Sequence, residues 1–142
     1  MIIYTDSSAL VKKYSLEQDS TYVINCLEKA DAIAISVVGY AEILSALSRK
    51  KRDNDLTEKD FKILLRAFED DWESFILVEV SAALNAMVKQ ILLDFPLRGF
   101  DSIHLASARL LKNITKKEIA FLAYDEKLAN AAENLGLNIK PE

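Results

Sequence analysis

The chain is poor in the residues that build many common scaffolds and sites. Among its 142 residues there is one cysteine, Cys26, and one histidine, His104. A lone cysteine forms no internal disulfide, and one thiol with one imidazole falls short of the ligand set of an ordinary zinc site. Three glycines and two prolines exclude collagen-like and low-complexity chains. They also disfavour an all-β fold, whose many tight turns draw on both residues. Long apolar runs are missing too. The uncharged stretch over residues 32–41 is about half the ~20 residues of a membrane span. The opening Met-Ile-Ile-Tyr-Thr-Asp lacks a basic segment followed by a long apolar one, so no signal peptide is expected. The expectation is a cytoplasmic protein in a reducing compartment, without a membrane.

What the chain has is apolar bulk and nearly balanced charge. A hydrophobic fraction of 51% excludes intrinsic disorder. The length fits one domain over residues 1–142, and a domain of ~150 residues buries roughly 68–70% of its unfolded surface. The net charge is −4 and the isoelectric point is near 5.1. These values argue against a protein held to nucleic acid by bulk charge alone. They leave room for a nucleic-acid enzyme whose acids hold metal ions.

Periodicity supplies a chain of short strands and helices. Ile2-Ile3-Tyr4 reads as a buried strand that stops at Asp6. Residues 7–14 follow helical spacing, with Leu10, Val11 and Tyr14 on one face, and a second helix is expected over about 20–29. Residues 32–35 read as strand two, with Ser36 as the N-cap of a helix that carries Val37, Tyr40, Ala41, Leu44 and Leu47. That helix runs into Arg49-Lys50-Lys51-Arg52 and breaks at Asp53-Asn54. Thr57 caps the next helix, which extends to about Trp72. Strand three is expected over 75–78, a helix over about 81–95, and a loop at Pro96 and Gly99. A helix from near Asp101 to about Lys112 leads to strand four over 119–122. Asp125 opens a last helix that stops at Gly136, and Leu137-Asn138-Ile139 is a candidate fifth strand.

Strands of four to five apolar residues alternating with helices pair in parallel. The expected class is α/β, a three-layer α/β/α sandwich around a mostly parallel sheet. Such sheets bind ligands beyond the carboxyl ends of their strands. Asp6 follows strand one, Asp125 follows strand four, and Asp101 opens a helix after the Pro96 loop. Each of these alone reads equally well as a plain N-cap. Glu42 sits inside the helix after strand two. Its neighbours at three and four positions, Val38, Gly39, Ser45 and Ala46, are small or apolar. A carboxylate crowded against backbone is costly unless paired or metal-bound, and the alternative is a solvated helix position. Four converging carboxylates without matching bases repel, and divalent cations relieve that repulsion. All-oxygen ligands suit Mg²⁺ or Mn²⁺. The matching chemistry is phosphodiester hydrolysis, in which one ion activates water and another stabilises the leaving oxygen.

The segments around these acids carry a resemblance. Ile3-Tyr4-Thr5-Asp6-Ser7-Ser8-Ala9-Leu10-Val11-Lys12-Lys13-Tyr14 is similar to the opening strand and helix of the PIN-domain family. Ser36-Val37-Val38-Gly39-Tyr40-Ala41-Glu42-Ile43 is similar to its second acidic segment, and Phe100-Asp101-Ser102-Ile103-His104-Leu105-Ala106 to its third. Tyr124-Asp125-Glu126-Lys127-Leu128-Ala129, followed by Leu135-Gly136-Leu137, is similar to its fourth. In order, and over essentially the whole chain, the set most closely resembles the VapC-type ribonuclease toxins of bacterial and archaeal toxin–antitoxin pairs. The resemblance implies a PIN-like sandwich and a Mg²⁺- or Mn²⁺-dependent endoribonuclease that cuts RNA with metal-activated water. It implies Asp6, Glu42, Asp101 and Asp125 as the catalytic and metal-binding quartet. Ser7 or Ser8 matches a hydroxyl that orders the first acid or a metal-bound water. Ala123 departs from the pattern, standing where the family often has Thr or Ser. The resemblance further implies a cognate antitoxin partner and a homodimer.

Other residues have plainer readings beside these. Arg49 lies seven residues after Glu42 on the same helix face and is a candidate contact to RNA phosphates. The cations beside it suit a helix C-terminus equally well. His104, three residues after Asp101, is expected near the site as a supporting residue, since two-metal hydrolysis needs no histidine base. Phe68, Trp72 and Phe75 read as core. Phe61, Leu64, Leu65 and Phe68 form a stripe that is either core or a groove for a partner helix. Three other functions compete. A phosphatase of the haloacid dehalogenase type wants a second Asp two residues after Asp6, where Ser8 stands. A receiver-type phospho-acceptor module wants an acid adjoining Asp6 and an Asp ending strand three, where Glu79 stands. A catalytically silent PIN-like binding module is the third.

Overall fold

The structure, a computed structural model, describes residues 1–138. Its strands are β1 (Ile2–Thr5), β2 (Ala32–Ser36), β3 (Ile76–Val78) and β4 (Ile119–Leu122). They form one sheet in the order β3-β2-β1-β4, and every pairing is parallel. Strands β1 and β4 are buried along their whole length, as runs of apolar residues covered on both faces should be. The helices are α1 (Ser7–Tyr14), α2 (Ser20–Lys29), α3 (Val38–Arg52), α4 (Glu58–Trp72), α5 (Ala82–Asp94), α6 (Gly99–Thr115) and α7 (Glu126–Asn134).

Side chains alternate across a strand, so the sheet divides the core in two. Ile2, Tyr4, Ala34, Ile119 and Phe121 pack with Leu84 and Ile91 of α5, Leu105 and Leu111 of α6 and Leu128 of α7. Ile3, Ile35, Ala120 and Leu122 pack with Leu10 of α1, Leu27 of α2, Ile43 and Leu47 of α3 and Phe68 of α4. This is the expected three-layer sandwich. Phe68 is fully buried with its ring against Tyr14, Tyr40 and Trp72. Its removal to Ala should cost about 3–5 kcal/mol. Phe61, Leu64 and Leu65 pack against the same cluster, so the α4 stripe belongs to the core.

Strand order locates the site. The chain steps outward from β1 through β2 to β3, then α5 and α6 carry it back to β4 on the far side of β1. Consequently α1, after β1, and α7, after β4, cover opposite faces. A crevice opens between the carboxyl ends of these two strands, where such sheets bind ligands. One backbone bond, Asp6 N–H to Leu122 O at 3.1 Å, ties the two strand ends together beneath it.

Most elements fall where the sequence places them, with four differences. Ser36 ends β2 instead of capping α3. Val37 occupies the cap position with φ −57° and ψ −26°, and Ser36 Oγ accepts the Val38 N–H at 3.3 Å. Helix α6 starts at Gly99 after Arg98, so Asp101 lies within the first turn rather than at its cap. The helix dipole favours an acid there. Strand β3 is one residue shorter than expected, because Phe75 closes a turn onto Trp72 O. The candidate fifth strand is a single parallel bridge, Asn138 to Ala120, and its last residue, Ile139, lies outside the described residues. No helix among the described residues is long and apolar enough to cross a membrane.

Candidate active site

Each acid reaches the carboxyl edge of the sheet by a local rule. Asp6 follows β1 directly and caps α1, its Oδ1 accepting the Ala9 N–H at 3.0 Å. Ser8 Oγ lies 2.8 Å from each Asp6 oxygen and donates to them. Asp125 caps α7 in the same way, accepting the Leu128 N–H at 2.9 Å. For these two residues capping and site are one arrangement, since an N-cap after a parallel strand stands at the sheet edge. Asp101 projects from the first turn of α6, with the exposed Arg98 Nε 3.9 Å away.

Glu42 arrives from the second turn of α3. That helix lies close to the sheet because Gly39 has no Cβ. A Cβ there would stand 2.5 Å from Ile35 Cδ1 and 3.5 Å from Ser7 Oγ. Glu42 Oε1 accepts from Ser7 Oγ at 2.8 Å and lies 2.7 Å from His104 Nε2. His104 is buried, and its Nδ1 is 2.8 Å from the Tyr4 hydroxyl.

The four carboxylates and Ser8 line one pocket of about 680 Å³. Its other wall is Val88, Leu92, Arg98, Phe100 and Ile103, and Phe100 is 59% exposed. Electrostatics mark the pocket as a place of unrelieved negative charge. Burial pushes the Asp6 carboxyl up to about 6, against the opposing influence of the His104 ring, the Ala9 N–H and the Ser8 hydroxyl. Asp101 is also raised, by burial first and then by the charge of Asp125, with Arg98 opposing. Burial pushes Glu42 up as well, but its contacts with His104 and Ser7 outweigh that and hold it below its ordinary value.

The donor set is therefore carboxylate and hydroxyl oxygen, with an excess of negative charge. Among the described residues, no group of three or more His, Cys, Asp or Glu side chains is placed to hold one metal ion as the side chains stand. Both oxygens of Asp6, and one each of Glu42 and Asp125, are engaged in the hydrogen bonds just described. An open, all-oxygen arrangement fits a hard cation that keeps several of its waters, as Mg²⁺ does, and does not fit zinc.

A family profile described as PIN domain matches residues 3–134. The chain belongs to the PIN-domain family. A relative named Ribonuclease VapC45, from Mycobacterium tuberculosis, is 29% identical over 140 residues, covering 99% of this chain and 95% of its own. Among solved structures, FitAcB from Neisseria gonorrhoeae superposes with a TM-score of 0.69 at 14% identity, over 98% of this chain and 97% of that one. VapBC2 from Rickettsia felis, bound to a DNA fragment from its promoter, gives a TM-score of 0.61 at 16% identity, over 89% and 90%. These two likenesses are of fold.

Within this PIN domain the remaining candidates divide. Ser8 touches Asp6 and Ser7 touches Glu42, so the two hydroxyls serve different acids. Ser8 Oγ also receives the Tyr124 N–H at 3.4 Å. It thereby places a hydroxyl beside the β4–α7 connection, where Ala123 has none. Arg49 is exposed and lines a smaller cavity of about 340 Å³ with Ser7, Ser8 and Glu42. Its neighbours are committed elsewhere, Lys50 to Glu17 and Lys51 to Glu58. Lys12 and Lys13 pair with Glu17 and Asp71. Sequence reasoning passed over Arg98, a pocket-wall cation, and Tyr4. The signal for Tyr4 was available: a tyrosine inside a fully apolar strand needs a partner for its hydroxyl.

Proposed function

We propose that this PIN domain is a Mg²⁺- or Mn²⁺-dependent endoribonuclease and the toxin of a VapBC-type pair. The observation that carries the reading is the convergence of Asp6, Glu42, Asp101 and Asp125, from four separate segments, on one pocket. The name of the full-length ribonuclease relative supports RNA as substrate. The toxin–antitoxin likenesses support an antitoxin partner. One nuclease domain, a homodimer and a cytoplasmic location belong to the same reading.

A bound divalent cation supplies water of lowered pKa and positive charge for the leaving oxygen. The chain's own residues do the rest. Asp6, Glu42, Asp101 and Asp125 line the pocket with their carboxylates. Ser8 and the Ala9 N–H fix the Asp6 carboxylate, so little reorganisation is needed when charge arrives. Arg49 and Arg98 flank the acids from two sides and are placed to receive phosphates of the RNA strand.

The test is incubation of pure protein with labelled RNA. Cutting with Mg²⁺ or Mn²⁺, and intact RNA with EDTA, is the expected result. Cutting that persists in EDTA overturns the metal-dependent reading. RNA bound but left intact under all conditions selects the silent binding module instead.

A further inference from the structure

A chain of buried hydrogen bonds runs from the backbone of β2 to the Glu42 carboxylate, and the chemistry above does not use it. The Ser36 N–H donates to the Tyr4 hydroxyl oxygen at 2.9 Å. That oxygen lies 2.8 Å from His104 Nδ1, and His104 Nε2 lies 2.7 Å from Glu42 Oε1. Tyr4 is fully buried and His104 is 1% exposed.

Proton positions follow from the donors at the two ends. A backbone N–H only donates, so the Tyr4 oxygen accepts from Ser36 and has its own proton to give. The Ser107 hydroxyl lies near enough to influence the Tyr4 hydroxyl but outside ordinary hydrogen-bond geometry, so His104 Nδ1 at 2.8 Å is the acceptor that the Tyr4 proton reaches. A ring whose Nδ1 accepts carries its one proton on Nε2, and that proton is donated to Glu42 Oε1. Ser7 Oγ donates to the same oxygen at 2.8 Å. No hydrogen bond to Glu42 Oε2 is found among the described residues, and the side chain lines the acidic pocket.

We infer that Tyr4 and His104 are positioning residues: Tyr4 fixes the Nε2–H tautomer of His104, and His104 thereby aims Glu42 Oε2 into the pocket. The inference rests on the ribonuclease reading for what Glu42 then does. A glutamate has several free torsions, and two donors on one oxygen remove most of that freedom. His104 also stands one helical turn after Asp101, so the same bond joins α6 to α3 and sets two of the four acids relative to each other. Both ring nitrogens are engaged, so His104 is not a general base. Outer partners that orient a ligand in this way are a common feature of metal sites.

His104 is the chain's single histidine, so nitrogen-15 NMR of the metal-free full chain at pH 7.5 reads one ring. The expected spectrum is one tautomer, with Nε2 protonated and Nδ1 bare. A proton on Nδ1, protons on both nitrogens, or an even mixture overturns the inference. Tyr4→Phe retains the ring that stacks on Phe121 at 5.5 Å and removes the hydroxyl. It should mix the tautomers and weaken Mn²⁺ binding, read by calorimetry, by about 10-fold or more, in the range typical of outer-shell partners. A folded Tyr4→Phe with a single tautomer and unchanged Mn²⁺ affinity also overturns it. His104→Gln, which offers an amide N–H to Glu42, should bind Mn²⁺ more tightly than His104→Phe. Equal affinities in those two count against positioning. None of these readouts uses RNA. A wild-type protein with the single tautomer but no RNA cleavage refutes the ribonuclease reading and leaves the positioning role standing.

Discussion

Two groups of acids in this molecule are treated in opposite ways. Glu17 meets Lys12 and Lys50, each at 3.0 Å. Asp71 meets Lys13 and the Tyr14 hydroxyl. At Glu17 slight burial pushes the carboxyl up, but the hydrogen bonds and charges of Lys50 and Lys12 more than reverse it. At the carboxyl edge of the sheet the balance goes the other way. Asp6 and Asp101 are raised, by burial first, and their neighbours there include further acids. The chain has 18 Lys and Arg, so cations were available. Among the described residues, Arg98, at 3.9 Å from Asp101, is the one Lys or Arg in ion-pair contact with any of the four acids. Acids that hold the fold together are matched within the chain. Acids left unmatched in a cleft are matched by something that binds.

Neutralising one acid of each kind separates the two groups, and the largest effect should come from Asp6→Asn. Asn is as good an N-cap as Asp, so the fold should persist. RNA cleavage should fall by more than the roughly 10–100-fold that outer-shell partners cost, measured as initial rate on labelled RNA. Cation binding should stabilise the wild type next. Mn²⁺ at about 100 times its Kd adds about 2.7 kcal/mol in thermal or denaturant unfolding. That gain should shrink as pH falls through 6, because Asp6 must lose its proton to act as a ligand.

Without metal, the sign at Asp6 reverses. Its folded pKa of about 6 lies above the ordinary 3.8. Its stabilising contribution is therefore complete below the ordinary value and is lost as pH rises through 6. In EDTA at pH 8, Asp6→Asn should unfold later than the wild type, by on the order of 2–3 kcal/mol. The difference should close by about pH 4. Glu17→Gln is the smallest effect and has the opposite sign. Its depressed carboxyl stabilises above the ordinary pKa and loses that contribution as pH falls, so the variant should lose less than about 1 kcal/mol near neutrality. RNA cleavage by Glu17→Gln should match the wild type.

The fold was legible wherever a short-range rule decides it. Ile2-Ile3-Tyr4 and residues 119–122 are apolar runs, and Asp6, Thr57 and Asp125 each cap a helix through their own side chain. At two helices that no side chain caps, the boundary shifted. Val37 and Arg98 open their helices without a side-chain bond, so Ser36 and Asp101 looked like better starts than they are. The same division applies to the site. The acids follow strands, and the parallel pairing of β1 with β4 puts Asp6 and Asp125 at one edge. The contacts that orient them were less legible. His104 was read beside Asp101, three residues away, yet its ring nitrogens meet Tyr4 and Glu42, 100 and 62 residues distant. Those contacts depend on how α6 lies across β1 and how closely Gly39 lets α3 approach, and neither is set by local pattern.

The most direct test of the unmatched acids is calorimetric titration of Mn²⁺ into EDTA-treated, dialysed protein at pH 8, with three chains side by side. The wild type should bind, Glu17→Gln should bind with equal strength, and Asp6→Asn should bind at least 10-fold more weakly. No binding by the wild type, or equal binding by folded Asp6→Asn, would contradict that expectation.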